Sequence, residues 1–333
     1  MDRNSGVETI SLLARIAVLL GCFGVGNLWA ATPLSPQGSA SEWLAHMAKS
    51  VRELNYRGKS ILMNGDQMST VEVIHGVFDG EPWERVIHLS GEPAEILRRG
   101  KQVSCLHPDA LTTFETYSHT ASITPFAFHS ERFAVPKYYR LSKSGTGRVA
   151  GREAYRVDVV PKDSARFGYQ FWLDAASGLL LKSVIVNEKG RGLEMFEFVD
   201  IQVDVEIDKQ AFKPGKGLRW VDKPKSPQQG VASELPWQLD WLPAGFTLAK
   251  NEMRMVGGVK ASTKVYSDGL AAFSVFLEPV PKQAQTEGTR THGATTALSR
   301  RLAQPQQDYL VTVVGEIPMA TAMQVAMAVQ LED

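Results

Sequence analysis

The chain has 333 residues, 44% hydrophobic and 22% charged, which is enough apolar material for a packed core and argues against a disordered polymer. Lys and Arg total 36 and Asp and Glu 36, so the formal net charge is zero and the basic excess of a duplex nucleic-acid binder is absent. The only cysteines are Cys22 and Cys105, too few for a Cys-rich zinc site, and if an export signal carrying Cys22 is removed no intrachain disulfide is left.

The N-terminus reads as an address. Arg3 and Arg15 precede the apolar run Ile16–Gly26, followed by Asn27-Leu-Trp-Ala-Ala31. A basic start, a short apolar stretch and small residues make a secretory signal over residues 1–30, with cleavage expected after Ala30. The run falls short of the roughly 20 residues of a membrane span. Leu19-Leu-Gly-Cys22 supplies the alternative, a bacterial lipoprotein box at Cys22, although apolar residues continue after the cysteine.

In the body, Ser39-Ala-Ser-Glu42 is a capping box, and Trp43, Leu44, Met47, Val51 and Leu54 behind it recur at helical spacing. Asn64-Gly65 between Lys59–Met63 and Met68–His75 predicts a hairpin. Further strands are expected at Glu84–Leu89, Glu95–Arg98 and Gln102–His107, then around Tyr155–Val159 and Tyr169–Leu173, and at Leu179–Val186 and Leu193–Val205. Strand-turn-strand units without intervening helices predict one large, curved antiparallel sheet with the first helix on its inner face. Ala110–Lys137 breaks the pattern and reads as a long loop carrying Phe114, Tyr117, Phe126, Phe128 and Phe133. Lys213–Glu234, rich in Pro and Gly, reads as a linker. It separates a large domain, 31–212, from a smaller α+β unit, 236–333. The smaller unit should have strands at Thr247–Val256, Thr263–Ser267, Leu270–Leu277 and Tyr309–Glu316. A polar, mobile stretch is expected at Lys282–Thr296, and a last helix after Pro318 with Met319, Met323, Met327 and Leu331 as its apolar stripe. The fold class is thus α+β and mostly β.

Catalytic patterns do not emerge. The seven histidines are scattered without HExxH spacing, and there is no GxSxG or SxxK. Gly58-Lys-Ser60 lacks the first glycine of a P-loop, Glu53 standing in its place. Gly145-Thr-Gly-Arg-Val-Ala150 fits GxGxxA but is followed by Gly151 and a strand, so it reads as a hairpin turn rather than a pyrophosphate cradle. The expectation is a protein that is not an enzyme and has no cofactor and no metal. A glycosidase-like carboxylate pair across strands is the form a hydrolase would take. A curved sheet under one helix encloses an apolar interior able to hold an acyl chain. Leu62, Phe126, Phe128, Phe171 and Trp172 are candidate wall residues, each with ordinary core as the plain alternative. The methionines of the last helix have a second reading, an adaptable partner surface.

Several stretches, in order, resemble the RseB/MucB family of periplasmic regulators of an envelope-stress sigma factor. These are Glu84-Arg85 through Ser90-Gly-Glu-Pro-Ala-Glu-Ile96, Tyr169-Gln-Phe-Trp-Leu-Asp174, Trp241-Leu-Pro-Ala-Gly-Phe246, Val265-Tyr-Ser-Asp-Gly-Leu-Ala-Ala-Phe-Ser-Val-Phe276 and Val313-Val-Gly-Glu-Ile-Pro318. The resemblance implies a half-open β-barrel like the periplasmic lipoprotein carriers, with a small domain beside it. It implies a periplasmic protein that binds the periplasmic segment of a single-pass anti-sigma factor (RseA/MucA type), keeps it from the first protease of a cascade, and is released by a lipid or lipopolysaccharide. Tyr266, Ser267, Asp268 and Gly269 are the residues it places near the partner surface, against a plain turn as the alternative. A homo-oligomer is compatible with it. The rival from residues 39–205 alone is a periplasmic lipid or lipoprotein carrier, which leaves the second domain without a role.

Overall fold

The computed structural model describes residues 33–100, 102–107, 137–215, 219–220, 236–256, 259–282 and 287–332. The expected aromatic loop, with Phe126 and Phe128, the export signal and most of the expected linker lie outside the described residues. Ala31–Asp333 form one compact unit.

Helix α1 (Ala40–Glu53) begins on the expected capping box: Ser39 N donates to Glu42 Oε2 at 2.6 Å and Glu42 N to Ser39 Oγ at 3.2 Å. The backbone and hydroxyl donors of Ser39 hold the Glu42 carboxyl below its ordinary range. Strands β1 (Tyr56–Asn64), β2 (Gln67–Phe78), β3 (Glu81–His88), β4 (Glu95–Arg99) and β5 (Gln102–His107) follow as an antiparallel meander. The first turn is one residue later than expected. Asn64 pairs with Gln67, leaving Gly65-Asp66 as the loop with Gly65 at φ +61°, the Gly-X form of a two-residue turn. Strands β6 (Tyr139–Val149), β7 (Arg152–Pro161), β8 (Gly168–Asp174), β9 (Leu180–Val186) and β10 (Gly192–Val203) form a second meander. β10 pairs with β1 and joins the two halves.

Gly145–Val149 belong to β6, and the hairpin turn is Ala150-Gly151, both at positive φ. β6 escaped the sequence reading because it is an edge strand: its Ser, Lys, Gly and Thr residues face water, and a bulge sits between Lys143 and Thr146. A short 3-10 turn (Lys209–Phe212) and β11 (Arg219–Trp220) follow, β11 pairing with β5 inside the expected linker. Among the described residues the sheet thus has eleven strands in the order β11-β5-β4-β3-β2-β1-β10-β9-β8-β7-β6, with β11 and β6 at its two ends.

The inner face carries the main core. Leu44, Met47 and Val51 of α1 meet Tyr56, Leu62, Val157, Val159, Phe171, Phe196 and Phe198, and Trp43 stacks on Tyr155 at 4.7 Å. On the outer face of β2–β5, Phe212 lies over Ile74, Leu97 and Leu106 as a second, smaller core.

The C-terminal part has β12 (Trp237–Leu239), β13 (Thr247–Val256), β14 (Val259–Ser267), β15 (Ala272–Val280), β16 (Gly288–His292), β17 (Thr295–Leu302), β18 (Asp308–Gly315), α2 (Met319–Met327) and β19 (Val329–Leu331). Six strands form a sheet in the order β13-β14-β15-β18-β17-β16, and β12 pairs with β19. Two expectations are corrected. The stretch expected to be mobile contains β16, which pairs with β17 from Gly288–Ser299 to His292–Thr295. The buried face of α2 is Thr321, Ala322, Val325 and Ala326, whereas Met323 and Met327 are 44% and 61% exposed. Small residues let the helix approach the sheet closely; Met323 and Met327 turn outward, while Met319 and Leu331, the latter in β19, pack against the C-terminal core.

Leu44→Ala should lower the unfolding free energy by roughly 2–5 kcal/mol in urea titration, the range for a leucine removed from a full core. Met323→Ala should change it by about 0.5 kcal/mol or less.

Candidate functional site at the rim of the large sheet

One row of cross-strand partners, Asn64–Glu194–Ile185–Tyr169–Val159–Leu141, marks an end of the large sheet. Just beyond it lie Tyr138, Tyr139 and the β7–β8 turn with Asp163 and Arg166. The C-terminal domain docks along this rim.

At one side the joint is ionic. Arg166 has a fully buried side chain. Its Nε and Nη2 donate to Asp163 Oδ1 and Oδ2 at 3.0 and 3.1 Å, Nη2 also to the Ala244 carbonyl at 2.6 Å, and Nη1 to Asp268 Oδ2. The guanidinium carbon lies 5.0 Å from the ring centres of both Tyr138 and Phe246. Tyr139 Oη donates to the same Asp268 oxygen at 3.0 Å, and burial followed by the Asp268 charge pushes the Tyr139 phenol far up. A guanidinium stripped of water needs such partners, because an unpaired buried charge costs several kcal/mol.

The Ser267-Asp268-Gly269 turn is what presents that carboxylate. Asp268 Oδ1 accepts from Leu270 N and Ala271 N at 2.9 and 2.8 Å, closing an Asx turn in which Gly269 takes φ +100°. The other oxygen is left to face the large domain. Leu270 packs on the large-domain core, and Thr321 Oγ1 donates to the Ala165 carbonyl at 3.1 Å.

At the other side the β16–β17 tip seats on the ends of β1 and β10. Ala294 N donates to Glu194 Oε1 at 2.9 Å, and Ala294 is buried in the large-domain core. Gly293, at φ +58°, is required here: a Cβ would collide with Asn64 Oδ1 and lie 2.8 Å from Glu194 Cγ.

The candidate residues fall in different places. Tyr266 is buried in the C-terminal core, stacked on Phe273 at 5.4 Å. Asp268 is buried at the joint, Ser267 donates to the Ala271 carbonyl, and Gly269 is exposed. Tyr266 and Asp268 are therefore occupied by contacts within the chain. Leu62 and Phe171 face the interior among core residues. Trp172, next to Phe171 along β8, is half-buried and packs against the main core. Its ring is flanked by Arg156 and Lys182, 5.2 and 5.0 Å from the ring centre. Arg166, Glu194 and Gly293 were missed by the sequence reading, since only folding brings Arg166 to Asp268 across 102 positions.

Asp268→Asn removes the charge facing Arg166 while keeping the turn's acceptor. It should destabilise the chain by about 3 kcal/mol in urea titration, at the lower end for a broken buried pair because Asp163 remains.

The chain matches the MucB/RseB N-terminal domain over residues 39–216 and the MucB/RseB C-terminal domain over residues 231–330. It is 32% identical to the sigma factor AlgU regulatory protein MucB of Pseudomonas aeruginosa over 92% of this chain and 96% of that protein. MucB in the Pseudomonas aeruginosa MucA/MucB complex superposes with a TM-score of 0.75 at 30% identity, over 89% of this chain and 100% of that one. For a crystal structure of MucB alone the TM-score is 0.64 at 30% identity, over 89% and 99%. Matched along both domains, the chain belongs to the MucB/RseB family of sigma-factor regulatory proteins.

Proposed function

We propose that this protein is a periplasmic regulator that binds the periplasmic segment of a single-pass anti-sigma factor, shields it from regulated proteolysis and so restrains an envelope-stress response. The carrying observation is the likeness to MucB in its complex with MucA, which spans both domains and the whole of the relative's chain. The basic-then-apolar N-terminus supports export. In this reading an anti-sigma segment that is unstructured when free wraps across both domains, and ordering it on binding removes its cleavage site from the protease.

The large sheet, with β11 and β6 as its end strands among the described residues, serves in this reading as a half-open barrel of the lipoprotein-carrier kind. A lipid or lipopolysaccharide releases the partner by favouring a different placement of the two domains, and the coupling is reciprocal: such a ligand binds more weakly while the anti-sigma segment is bound. The Ser267–Gly269 turn acts on the partner through domain placement, since its carboxylate holds Arg166.

The test is titration of the anti-sigma periplasmic segment from the same organism into residues 31–333, followed by calorimetry. A saturable one-to-one complex is expected. Asp268→Asn should weaken it at least several-fold at a temperature where the variant remains folded. No heat and no complex at tens of micromolar would exclude the reading. A wild-type affinity for Asp268→Asn would remove the turn from it.

A further inference from the structure

The rim joint holds more acid than base. Glu194 from β10, Asp268 from the β14–β15 turn and Glu316 after β18 are all buried. They surround Tyr169, whose phenol is pushed up by burial and then by Tyr139, Glu316, Asp268 and Glu194. The buried cation here is Arg166, and its bonds run to Asp163, Asp268 and the Ala244 carbonyl.

Glu194 sits at the opposite side of the joint from Arg166. It is fully buried between the end of β1, which offers Asn64, and the β16–β17 tip, which offers the Ala294 amide, Thr295 and Gly293. On its other strand neighbour it faces Ile185 of β9. The nearby ionisable groups are Tyr169 of β8, Glu316 beyond it, and His292, whose ring borders Gly65 on the far side of the same tip. No salt bridge reaches Glu194 among the described residues. A carboxylate buried beside further acids and away from any cation is easier to bury with its proton than without it, although the amide donors of the tip favour the charged form.

We propose that this joint is a proton-coupled latch: with Glu194 protonated the β16–β17 tip stays seated on the large sheet, and loss of that proton loosens the C-terminal domain.

The direction follows from linkage. Burial raises the Glu194 carboxyl to about 7, against the opposing pull of the Ala294 and Thr295 donors. An unseated, hydrated Glu194 returns to the ordinary value near 4.3. The raised group therefore stabilises the seated form fully at low pH. That contribution falls about tenfold in equilibrium constant per pH unit as pH rises toward 7, and levels off above it. The latch stands on the geometry of the joint and does not depend on the identity of the partner.

Amide hydrogen exchange on residues 31–333, corrected for intrinsic rates, tests it. Protection of the 293–296 segment should fall roughly 40-fold between pH 5 and pH 7 and little from pH 7.5 to 8.5. Protection of Phe273–Leu277, in the C-terminal core, should stay level. Glu194→Gln should flatten the 293–296 profile, and His292→Gln should leave it intact. A flat wild-type profile, an unchanged profile in Glu194→Gln, or loss of the profile in His292→Gln instead would each overturn the latch. Carbon-13 titration of the wild-type Glu194 carboxyl gives a reading independent of any variant: a midpoint near 7 supports the latch, and one below 5 contradicts it.

Discussion

A guanidinium with no access to water imposes the constraint around which the two domains are arranged. Arg166 obtains part of its hydrogen bonding from Asp163, in its own turn, and the rest from Asp268 and the Ala244 carbonyl of the other domain. Separating the domains would force this charge to find water in place of Asp268 and Ala244. The pair therefore favours one relative placement over others. Its part is specificity of placement more than net stability, because desolvation offsets much of the attraction. Tyr138, Tyr139 and Phe246 line the same site and exclude the water that would weaken it.

The two sides of the joint differ in chemistry. On the Arg166 side a cation is matched by carboxylates and a carbonyl. On the Glu194 side an acid meets amide donors and the glycine-containing tip of a hairpin. The first side selects orientation. The second has a carboxyl that burial raises to about 7.

Much of this was legible in the residues. Ser39 and Glu42 announced the first helix, Asp268-Gly269 announced a turn, and the alternation of Tyr155, Val157 and Val159 gave the inner face of β7. Other parts were not. β6 is polar on nearly every position because as an edge strand it has a partner on one side and water on the other. β16 is exposed from Gly288 to Thr291 and has no hydrophobic alternation to betray it, so its register comes from pairing with β17. Met323 and Met327 misled because hydrophobic spacing marks an apolar stripe without saying whether the small residues beside it pack more closely. The candidate turn was found by resemblance, but its role at the joint was hidden, because Arg166 lies 102 residues away and carries no local signal.

The central claim is that this family member acts by occupying an anti-sigma factor and hiding its cut site. The most direct measurement is the rate at which the first protease of the cascade cleaves the full-length, membrane-embedded anti-sigma factor with and without saturating residues 31–333. The account predicts that cleavage slows at least tenfold and that the protection titrates with the binding curve. Cleavage at the unprotected rate despite full occupancy would contradict it.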